Sequence, residues 1–544
     1  MVWIRRVRTK SGATAVQLAE SVGGRRRIVR HVGSAHDEVT LGLLMEEARR
    51  LLAGDAQGEL DLGITPTAVK ASLVPAPDPD ALFEPDPVAT RREVVARAVV
   101  HKTFSRLLFD VLAGVYADLG FEALDDEVFR DLVIARVVEP TSLLDVDRVL
   151  ADLGRVSASL STRKRTLHRC SDGAYRDRLA TLSFTHAVNH GDISLCLFDV
   201  TTLYFEAEKE DDLRKVGFSK ERRVDPQIVV ALLVDRNGFP LEIGCFEGNK
   251  AEQKTLLPII EAFKVRHGVE RMVVVADAGM LSAGNLTWLS DAGFFFIVGS
   301  RLTKAPIDLA SHFRWHGDAF TDGQVIDTIT PRDSRKIEND PLLRAEPVWD
   351  PTGHPRSWRA VWSYSSKRAA RDRKTLTLQE NRAKAVVAGD KAARTPRFVT
   401  IKKNGPTLDE ASIARARQLV GLKGYVTHLP ADVMSAHEVL SSYHDLWHVE
   451  QSFRLSKTDL RARPLFARTR DVIEAHLTIV VTALAIARTV QDRTGLSLRR
   501  VLRTLRPLRS ATITINGITQ TIDPAISPDQ QTLIDNITQP PTRH

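Results

Sequence analysis

The run ISLCLFDVTTLYF at 193–205 decides the fold, because it is apolar up to Asp199 and rich in strand-forming residues throughout. A second apolar run, MVVVADAG at 272–279, reaches Asp277 in the same way. Unbroken apolar runs of this kind are typical of strands buried inside a sheet. We therefore expect each aspartate to cap a buried strand, and adjacent strands would bring the two carboxylates together. Taken singly, either aspartate could also be a turn former or a helix cap.

The segments around these runs predict an α/β fold, with a mixed sheet flanked by helices. The stretch QIVVALLVDRNGFPLEIGCFEGN at 227–249 contains two strand-like runs joined at Asn237-Gly238, a dipeptide typical of hairpin turns. A helix, a short helix and a strand should follow over 255–268, 285–293 and 294–301. The predicted order from 193 onward is β-β-β-α-β-α-β.

A third acid lies in YHDLWHVEQSFRLSKTDL at 443–460, which has helical spacing. At about 100° per residue, one narrow helix face carries two aromatics, an acid and two bases, namely Tyr443, Trp447, Glu450, Arg454 and Lys457. A packing face would be aliphatic. Phosphoryl transfer needs this mixture, because a carboxylate completes a metal site while cations and a phenol hold phosphates. The alternative is an exposed helix stabilised by a Glu450–Arg454 pair.

Composition excludes several classes of protein. The 544 residues, 43% hydrophobic and 26% charged, indicate a multidomain globular chain, and the net charge of +8 favours a polyanionic partner. The three cysteines are far apart, which argues against a zinc site or a disulfide framework. The longest apolar stretch, 477–487, is shorter than the roughly 20 residues that span a bilayer. The N-terminus lacks the apolar core of a secretory signal, so we expect no membrane partner and a cytoplasmic, nucleoid-associated protein.

Changes in composition along the chain predict the domain boundaries. Five prolines interleaved with aspartates indicate a linker, and helical periodicity follows it. Within the helical region, Arg163, Lys164, Arg165 and Arg169 lie on one short helix, which could be a recognition helix or a plain surface helix. The predicted domains are a basic β-rich module (1–74), a Pro/Asp linker (75–90), a helical DNA-binding domain (91–190), a catalytic core (191–300 and 431–490), a β-rich insertion (301–430) and a basic C-terminal tail (491–544), loosely ordered past 510.

Four stretches together resemble the DDE transposases of bacterial insertion sequences, in the branch whose RNase-H-like core is interrupted by a β-rich insertion. They are FDVTTLYFE (198–206), GFSKERRVDPQIVVALLVDRNGFPLEIGCFEGN (217–249), VVVADAGM (273–280) and YHDLWHVEQSFRLSKTDLRARP (443–464). The resemblance covers roughly 95–490 and implies that Asp199, Asp277 and Glu450 are the catalytic, metal-binding acids. It also implies Mg²⁺ as the cofactor with Mn²⁺ as a substitute, terminal inverted repeats and target DNA as partners, and a homodimer.

The helix signature of this family is a Tyr, an Arg, a Glu and a Lys at fixed spacing. Tyr443, Glu450 and Lys457 match it, whereas Leu446 stands at the Arg position. Arg454, one turn beyond Glu450, could supply the missing guanidinium. The predicted DNA-binding residues are therefore Tyr443, Arg454 and Lys457, with Trp447 on the same face.

An aromatic side chain of the insertion stacks on a flipped base in related transposases, and Trp358 and Trp362 are the candidates here. The resemblance thus predicts an enzyme that cleaves and transfers DNA strands by two-metal chemistry at the ends of an insertion sequence. Two alternatives stay open on sequence alone. One is a metal-dependent nuclease that cuts without joining, and the other is a DNA-binding regulator of the same fold that has lost catalysis.

Overall fold

The structure of the chain is a computed structural model. It describes residues 2–8, 14–22, 25–35, 44–45, 48, 98–191, 193–206, 209–218, 225–280, 282–332, 340–391, 397–402, 405–463, 469–515 and 517–538. The chain divides into two compact units, Met1–Ala96 and Arg97–His544. The linker predicted at 75–90 lies outside the described residues.

The first unit contains a three-stranded antiparallel sheet. Its strands pair in the order β1, β2, β3, over Val2–Arg8, Thr14–Val22 and Arg25–Ala35. Val16 and Leu18 are buried on β2, whereas Arg27 and Arg30 are exposed on β3. The β strands that the sequence predicted near the N-terminus are therefore present, with basic side chains facing solvent.

The second unit begins with a strand and a group of helices. The strand β4 is Ala98–Phe104, and the helices α1 to α5 are Arg106–Asp118, Glu127–Val138, Val146–Asp152, Leu160–Asp172 and Tyr175–His190. The prediction that 91–190 is helical is therefore wrong for 98–104. Those seven residues read AVVHKTF, a β-branched run whose strand partner lies far away in the sequence.

Two of the four basic residues predicted on the possible recognition helix, α4, are paired within the protein. The buried Arg163 guanidinium pairs with Asp147, and Arg169 pairs with Asp126. Lys164 and Arg165 remain exposed. The recognition-helix alternative loses two of its four basic residues, because their charges are needed to hold neighbouring helices.

A large mixed sheet forms the centre of the second unit. Within the described residues it has the order β10-β11-β14-β9-β8-β5-β6-β7. These strands are β5 (Leu195–Tyr204), β6 (Gln227–Asp235), β7 (Pro240–Glu247), β8 (Val273–Ala276), β9 (Phe295–Gly299), β10 (Val325–Pro331), β11 (Ser357–Tyr364) and β14 (Leu422–Thr427). With helices α6 (Leu256–His267) and α7 (Ala283–Asp291), the order β-β-β-α-β-α-β predicted from 193 is confirmed.

Three strands of the segment 301–430 belong to the central sheet. Its strands β10, β11 and β14 extend the central sheet, because β14 pairs antiparallel with the otherwise free edge of β9. Outside that sheet it contributes helices and a two-stranded hairpin, over α8 (Ala305–Asp308), α9 (Ala310–His316), α10 (Ser366–Val387), β12 (Val399–Lys402), β13 (Gly405–Leu408) and α11 (Glu410–Gln418). The expectation of a β-rich insertion at 301–430 is corrected accordingly: three of its strands continue the central sheet, and helices make up much of the rest.

One long helix joins the helical region to the sheet. Helix α14, Arg470–Thr494, packs against α1, α2, α4 and α5 on one side and against β7 on another. By length and mean hydropathy it could cross a membrane, but 72% of its most apolar window is buried inside the protein. Its apolar residues are therefore accounted for by packing within the core.

The described residues of the tail past 510 form strands and a helix, contrary to the loosely ordered tail predicted from its polar composition. Strands β15 (Ser510–Ile515) and β16 (Ile518–Ile522) form a sheet with β4 in the order β16-β15-β4. Helix α15 (Leu498–Leu505) precedes this sheet and α16 (Pro528–Thr538) follows it. Alternating Thr and Ile residues favour a strand when a partner is available, and here the partner is β4.

Candidate active site

Asp199 and Asp277 lie side by side because their strands are parallel neighbours. The register of β5 and β8 pairs Leu195 with Val273 and continues to Phe198 and Ala276. The next residue on each chain is an aspartate. The Asp199 side chain is half-buried and that of Asp277 is exposed. The expected meeting of two buried strands beneath the acids is therefore confirmed.

The setting of Asp199 differs from the expectation in one respect. Asp277 directly follows the end of β8, as predicted. Asp199, in contrast, lies in the middle of β5, which continues to Tyr204 because β6 pairs with it along its whole length. A hairpin partner thus extends the strand beyond the point where its apolar run ends.

Two helices, rather than one, cover the segment around the third acid. Helix α12 spans Ala436–His444 and begins with a capping box formed by Ser435 and Glu438. Helix α13 spans Trp447–Thr458 and carries Glu450 in its first turn. The chain turns at Asp445, whose carboxylate accepts a hydrogen bond from Arg236 Nε at 2.8 Å. The turn between the two helices is thus tied to the β6–β7 hairpin.

Tyr443 points into the protein, where it binds one of the candidate catalytic acids. Its hydroxyl donates a hydrogen bond to Asp277 Oδ1 at 2.7 Å, and its side chain is buried. Burial, followed by the bond to the Asp277 carboxylate, raises the pKa of the Tyr443 phenol. The predicted DNA contact of Tyr443 is therefore corrected, because the hydroxyl is already used to orient Asp277.

The space for this tyrosine depends on a glycine at the end of β9. A Cβ atom placed on Gly299 would lie 2.6 Å from the Tyr443 hydroxyl oxygen. The residue opposite Gly299 on β14 is Tyr425, whose ring packs edge-on against that of Tyr443 with centroids 4.7 Å apart. A side chain larger than glycine at 299 would displace Tyr443 from Asp277.

The other predicted DNA contacts lie on α13, which packs against β5. Trp447 is 51% exposed, and Glu450 and Arg454 are also exposed. Glu450 and Arg454 form no ion pair with each other in the described structure, so the alternative of a salt-bridged surface helix is not supported. Lys457 is half-buried, and its ammonium contacts the Thr201 hydroxyl two residues after Asp199. DNA binding by Trp447, Arg454 and Lys457 stays a prediction.

The two tryptophans proposed for base stacking are part of the core. Trp358 is 3% exposed and lies between Phe296 and the Arg332 guanidinium, which is 3.5 Å from its ring centroid. Trp362 is fully buried and donates a hydrogen bond to Asp308 at 3.1 Å. Neither indole has a free face, so the stacking hypothesis is wrong for both. Apolar and polar residues alternate on β11, a pattern typical of a strand with one exposed face. In the structure both faces of this strand are covered, so the pattern did not indicate the burial of the two tryptophans.

A cation that the sequence did not single out lies beside this site. The Lys423 ammonium on β14 is 4.4 Å from the ring centroid of Tyr443 and 5.5 Å from that of Tyr425. Burial, followed by the nearby Arg368 charge, lowers the pKa of Lys423, whereas Asp277 and Glu450 act to raise it. No local pattern marks Lys423, because it belongs to a segment whose place in the central sheet is visible only after folding.

The candidate acids fit a hard divalent cation by their chemistry. All three donors are carboxylates, which suit Mg²⁺ and Mn²⁺ and not softer metals. Asp199 and Asp277 directly follow a pair of residues that are in register on the adjacent strands β5 and β8. The Glu450 carboxylate attracts the same Lys423 ammonium as Asp277 does, so it is near the pair. Among the residues the structure describes, no three His, Cys, Asp or Glu side chains are close enough to hold a metal as they stand. The three acids would therefore have to come closer together to hold one ion.

Comparison with known families identifies the segment that carries these acids. A family model described as "Transposase DDE domain" matches residues 190–486, more than half of the chain. The chain belongs to this transposase family. The matched segment begins before β5 and ends within α14, so it contains all three acids and the whole central sheet. No curated protein matches the sequence significantly.

Two solved structures are similar to this transposase at low identity. One is the piggyBac transposase synaptic complex with hairpin DNA, at 9% identity over 81% of this chain and 83% of that chain, with a TM-score of 0.36. The other is the Mos1 transposase paired-end complex with the left transposon end, at 9% identity over 28% of this chain and 52% of that chain, with a TM-score of 0.15. The family assignment rests on the family model.

Proposed function

We propose that this transposase cleaves DNA strands at the ends of an insertion sequence and joins them to target DNA, using divalent cations held by Asp199, Asp277 and Glu450. The observation that carries the proposal is the parallel register of β5 and β8, which puts Asp199 next to Asp277 inside the family-matched segment. The arrangement of β5 to β9, with three parallel strands and an antiparallel hairpin, supports the RNase-H-like core implied by the sequence.

Each nearby side chain has a role in this proposal that follows from its contacts. When bound, the cations activate the attacking water or 3′-hydroxyl and neutralise the leaving oxygen. Tyr443 fixes the orientation of the Asp277 carboxylate through its hydrogen bond. Glu450 is exposed at the start of α13, where it is free to complete the set of ligands. Arg454 and Trp447 are exposed on the same helix and are available to DNA.

The partners and the cofactor in this proposal follow from the family. Mg²⁺ is the proposed cation, with Mn²⁺ as a substitute, and the proposed substrates are terminal inverted repeats and target DNA. The exposed arginines of β3 and the net charge of +8 support a polyanionic partner. Pairing of two DNA ends calls for a homodimer, and access to chromosomal DNA calls for a cytoplasmic, nucleoid-associated location.

The test is a cleavage and joining assay with the purified full-length chain and the DNA that flanks its gene. We expect cut ends and their insertion into a plasmid with Mg²⁺ or Mn²⁺, and neither product with Ca²⁺, which takes a larger and looser shell of oxygens. Asp199→Asn should abolish both products and keep DNA binding. Asp291→Asn, an exposed acid at the end of α7, is the matched control and should retain activity.

The two rival functions give different products in the same assay. Cleavage without any joined product would overturn the proposal in favour of a nuclease. End-specific DNA binding without cleavage in any divalent metal would overturn it in favour of a regulator. Full activity in Asp199→Asn would overturn the assignment of the acids.

A further inference from the structure

Strand β14 brings one lysine from the segment 301–430 to the edge of the carboxylate site. Lys423 pairs with Ser363 on β11, two residues before Tyr425 pairs with Gly299 on β9. Side chains two residues apart lie on the same face of a strand. Lys423 and Tyr425 therefore share the face on which Tyr443 reaches Asp277.

The ammonium of Lys423 is held by aromatic rings and not by an anion. Its contacts are the faces of Tyr443 at 4.4 Å and Tyr425 at 5.5 Å. It forms no ion pair with any residue in the described part of the chain, although it is half-buried. A cation–π contact stabilises an ammonium only in part, and a partly buried charge without an anion costs free energy.

The charges around Lys423 come from four different elements. Asp277 follows β8 and Glu450 lies on α13, and both attract the ammonium. Arg368 on α10 repels it. His444 at the end of α12 is also close, because the charges of Lys423 and Arg368 both act to lower its pKa. The two attracting groups are the ones assigned to divalent cations in the proposed function. Once those cations are bound, Lys423 loses its attractive neighbours.

We propose that Lys423 binds a phosphate group of the DNA strand held at the carboxylates, an inference that rests on the proposed function. A lysine ammonium is a compact point charge suited to a phosphate oxygen. The phosphate is an anionic partner for the Lys423 ammonium, which forms no ion pair in the described part of the chain. Bound cations would add positive charge near Lys423 and so favour the phosphate further. Lys423 therefore couples the two ligands, because it opposes cation binding while DNA is absent and strengthens DNA binding.

Because of this coupling, removing the Lys423 charge should strengthen metal binding and weaken DNA binding. In the DNA-free protein, Lys423→Met should tighten Mn²⁺ binding by about three- to tenfold, since one repelling charge near the site is gone. In DNA binding, the slope of log K against log salt should become flatter by about one unit, the value for one lost phosphate contact. Methionine retains most of the aliphatic stem that lies over the tyrosine rings.

The experiment uses the full-length chain in four versions besides wild type. Mn²⁺ affinity is measured by electron paramagnetic resonance without DNA, and the salt dependence of DNA binding is measured with Ca²⁺, so neither readout is catalytic activity. Lys423→Arg retains the charge and should behave like wild type in both. Lys102→Met removes another lysine that lies over an aromatic ring, Phe104, and should leave Mn²⁺ affinity unchanged. Melting temperature checks that each variant is folded.

The outcomes separate this inference from the proposed function. Tighter Mn²⁺ binding together with a flatter slope in Lys423→Met supports the inference. An unchanged slope or an unchanged Mn²⁺ affinity in the folded variant overturns it. Asp277→Asn is included because loss of Mn²⁺ binding there, with no effect of Lys423→Met, overturns only the role of Lys423. Wild-type Mn²⁺ affinity in Asp277→Asn overturns the proposed metal site itself.

Discussion

Asp277 and Asp308 each accept a hydrogen bond from an aromatic side chain, yet their surroundings are opposite. Tyr443 donates to Asp277 at 2.7 Å, and Trp362 donates to Asp308 at 3.1 Å. Asp277 is exposed at the end of β8. Asp308 is fully buried beneath β10 and β11, and this burial raises its pKa to about 7.

The difference shows what makes a carboxylate available for chemistry. Asp308 lies beside an apolar cluster that contains Leu309 and Ile326, so burial favours its protonated form, and its bond to Trp362 holds core elements together. Asp277 has a strand neighbour that ends in another acid, a cation nearby in Lys423, and an open side toward solvent. The same aromatic hydrogen bond therefore has a structural role at Asp308 and a positioning role at Asp277.

Replacing each aspartate by asparagine should give the largest contrast. Asp277→Asn removes a negative ligand and should lower the cleavage rate by roughly 10³-fold or more, while the free energy of unfolding changes by less than about 0.5 kcal/mol. Asp308→Asn should leave the cleavage rate within about twofold of wild type, because it touches no reacting group. The cleavage rate on end DNA and the free energy of unfolding from chemical denaturation are measured on the same preparation of each variant. Equal loss of cleavage in the two variants would erase the contrast.

Removing the aromatic hydrogen-bond donors should give effects of intermediate size and sharpen the comparison. Tyr443→Phe should lower the cleavage rate by about 10- to 100-fold, the usual cost of losing a group that orients a metal ligand, with little change in melting temperature. Trp362→Phe should instead destabilise the protein by about 2 kcal/mol, through a small cavity and an unsatisfied carboxylate, and spare cleavage. If Tyr443→Phe lost stability and kept its rate, the hydroxyl would be structural as well.

The last contrast concerns the pH dependence of stability at Asp308. Its pKa in the folded protein is about 7, above the ordinary value of 3.8. The stability that it contributes is therefore fully present below about pH 4 and is lost as the pH rises through about 7. Asp308→Asn keeps an acceptor for Trp362 without a charge, so it should be more stable than wild type by about 1–3 kcal/mol at pH 8. A stability difference that does not vary between pH 4 and pH 8 would contradict the raised pKa.

Local patterns in the sequence predicted the part of the site that lies on neighbouring core strands. The apolar runs before Asp199 and Asp277 indicate buried strands, and the order β-β-β-α-β-α-β follows from periodicity and one hairpin turn. The spacing from Tyr443 to Lys457 indicated helix on both sides of the true break. These features depend on residues close together in the chain, which is why they could be predicted.

Features that depend on distant contacts could not be predicted. The break between α12 and α13 lies at Asp445, which is bonded to Arg236 more than two hundred residues earlier in the chain, and Tyr443 is held inward by its bond to Asp277. Lys423 reaches the site only because β14 adds to the edge of β9. Trp362 looked available for stacking because its burial comes from residues on other elements, Asp308 among them. In each case a tertiary contact overrides the local pattern.

The central claim is that Asp199, Asp277 and Glu450 together hold the divalent cations, and Mn²⁺ binding to the DNA-bound full-length chain tests it most directly. Titration of wild type should show two bound ions per chain, as expected for two-metal phosphoryl transfer. Asp199→Asn, Asp277→Asn and Glu450→Gln should each weaken Mn²⁺ binding by at least about tenfold, and a double variant should lose little more. Wild-type Mn²⁺ affinity and stoichiometry in any one of these folded single variants would contradict the claim.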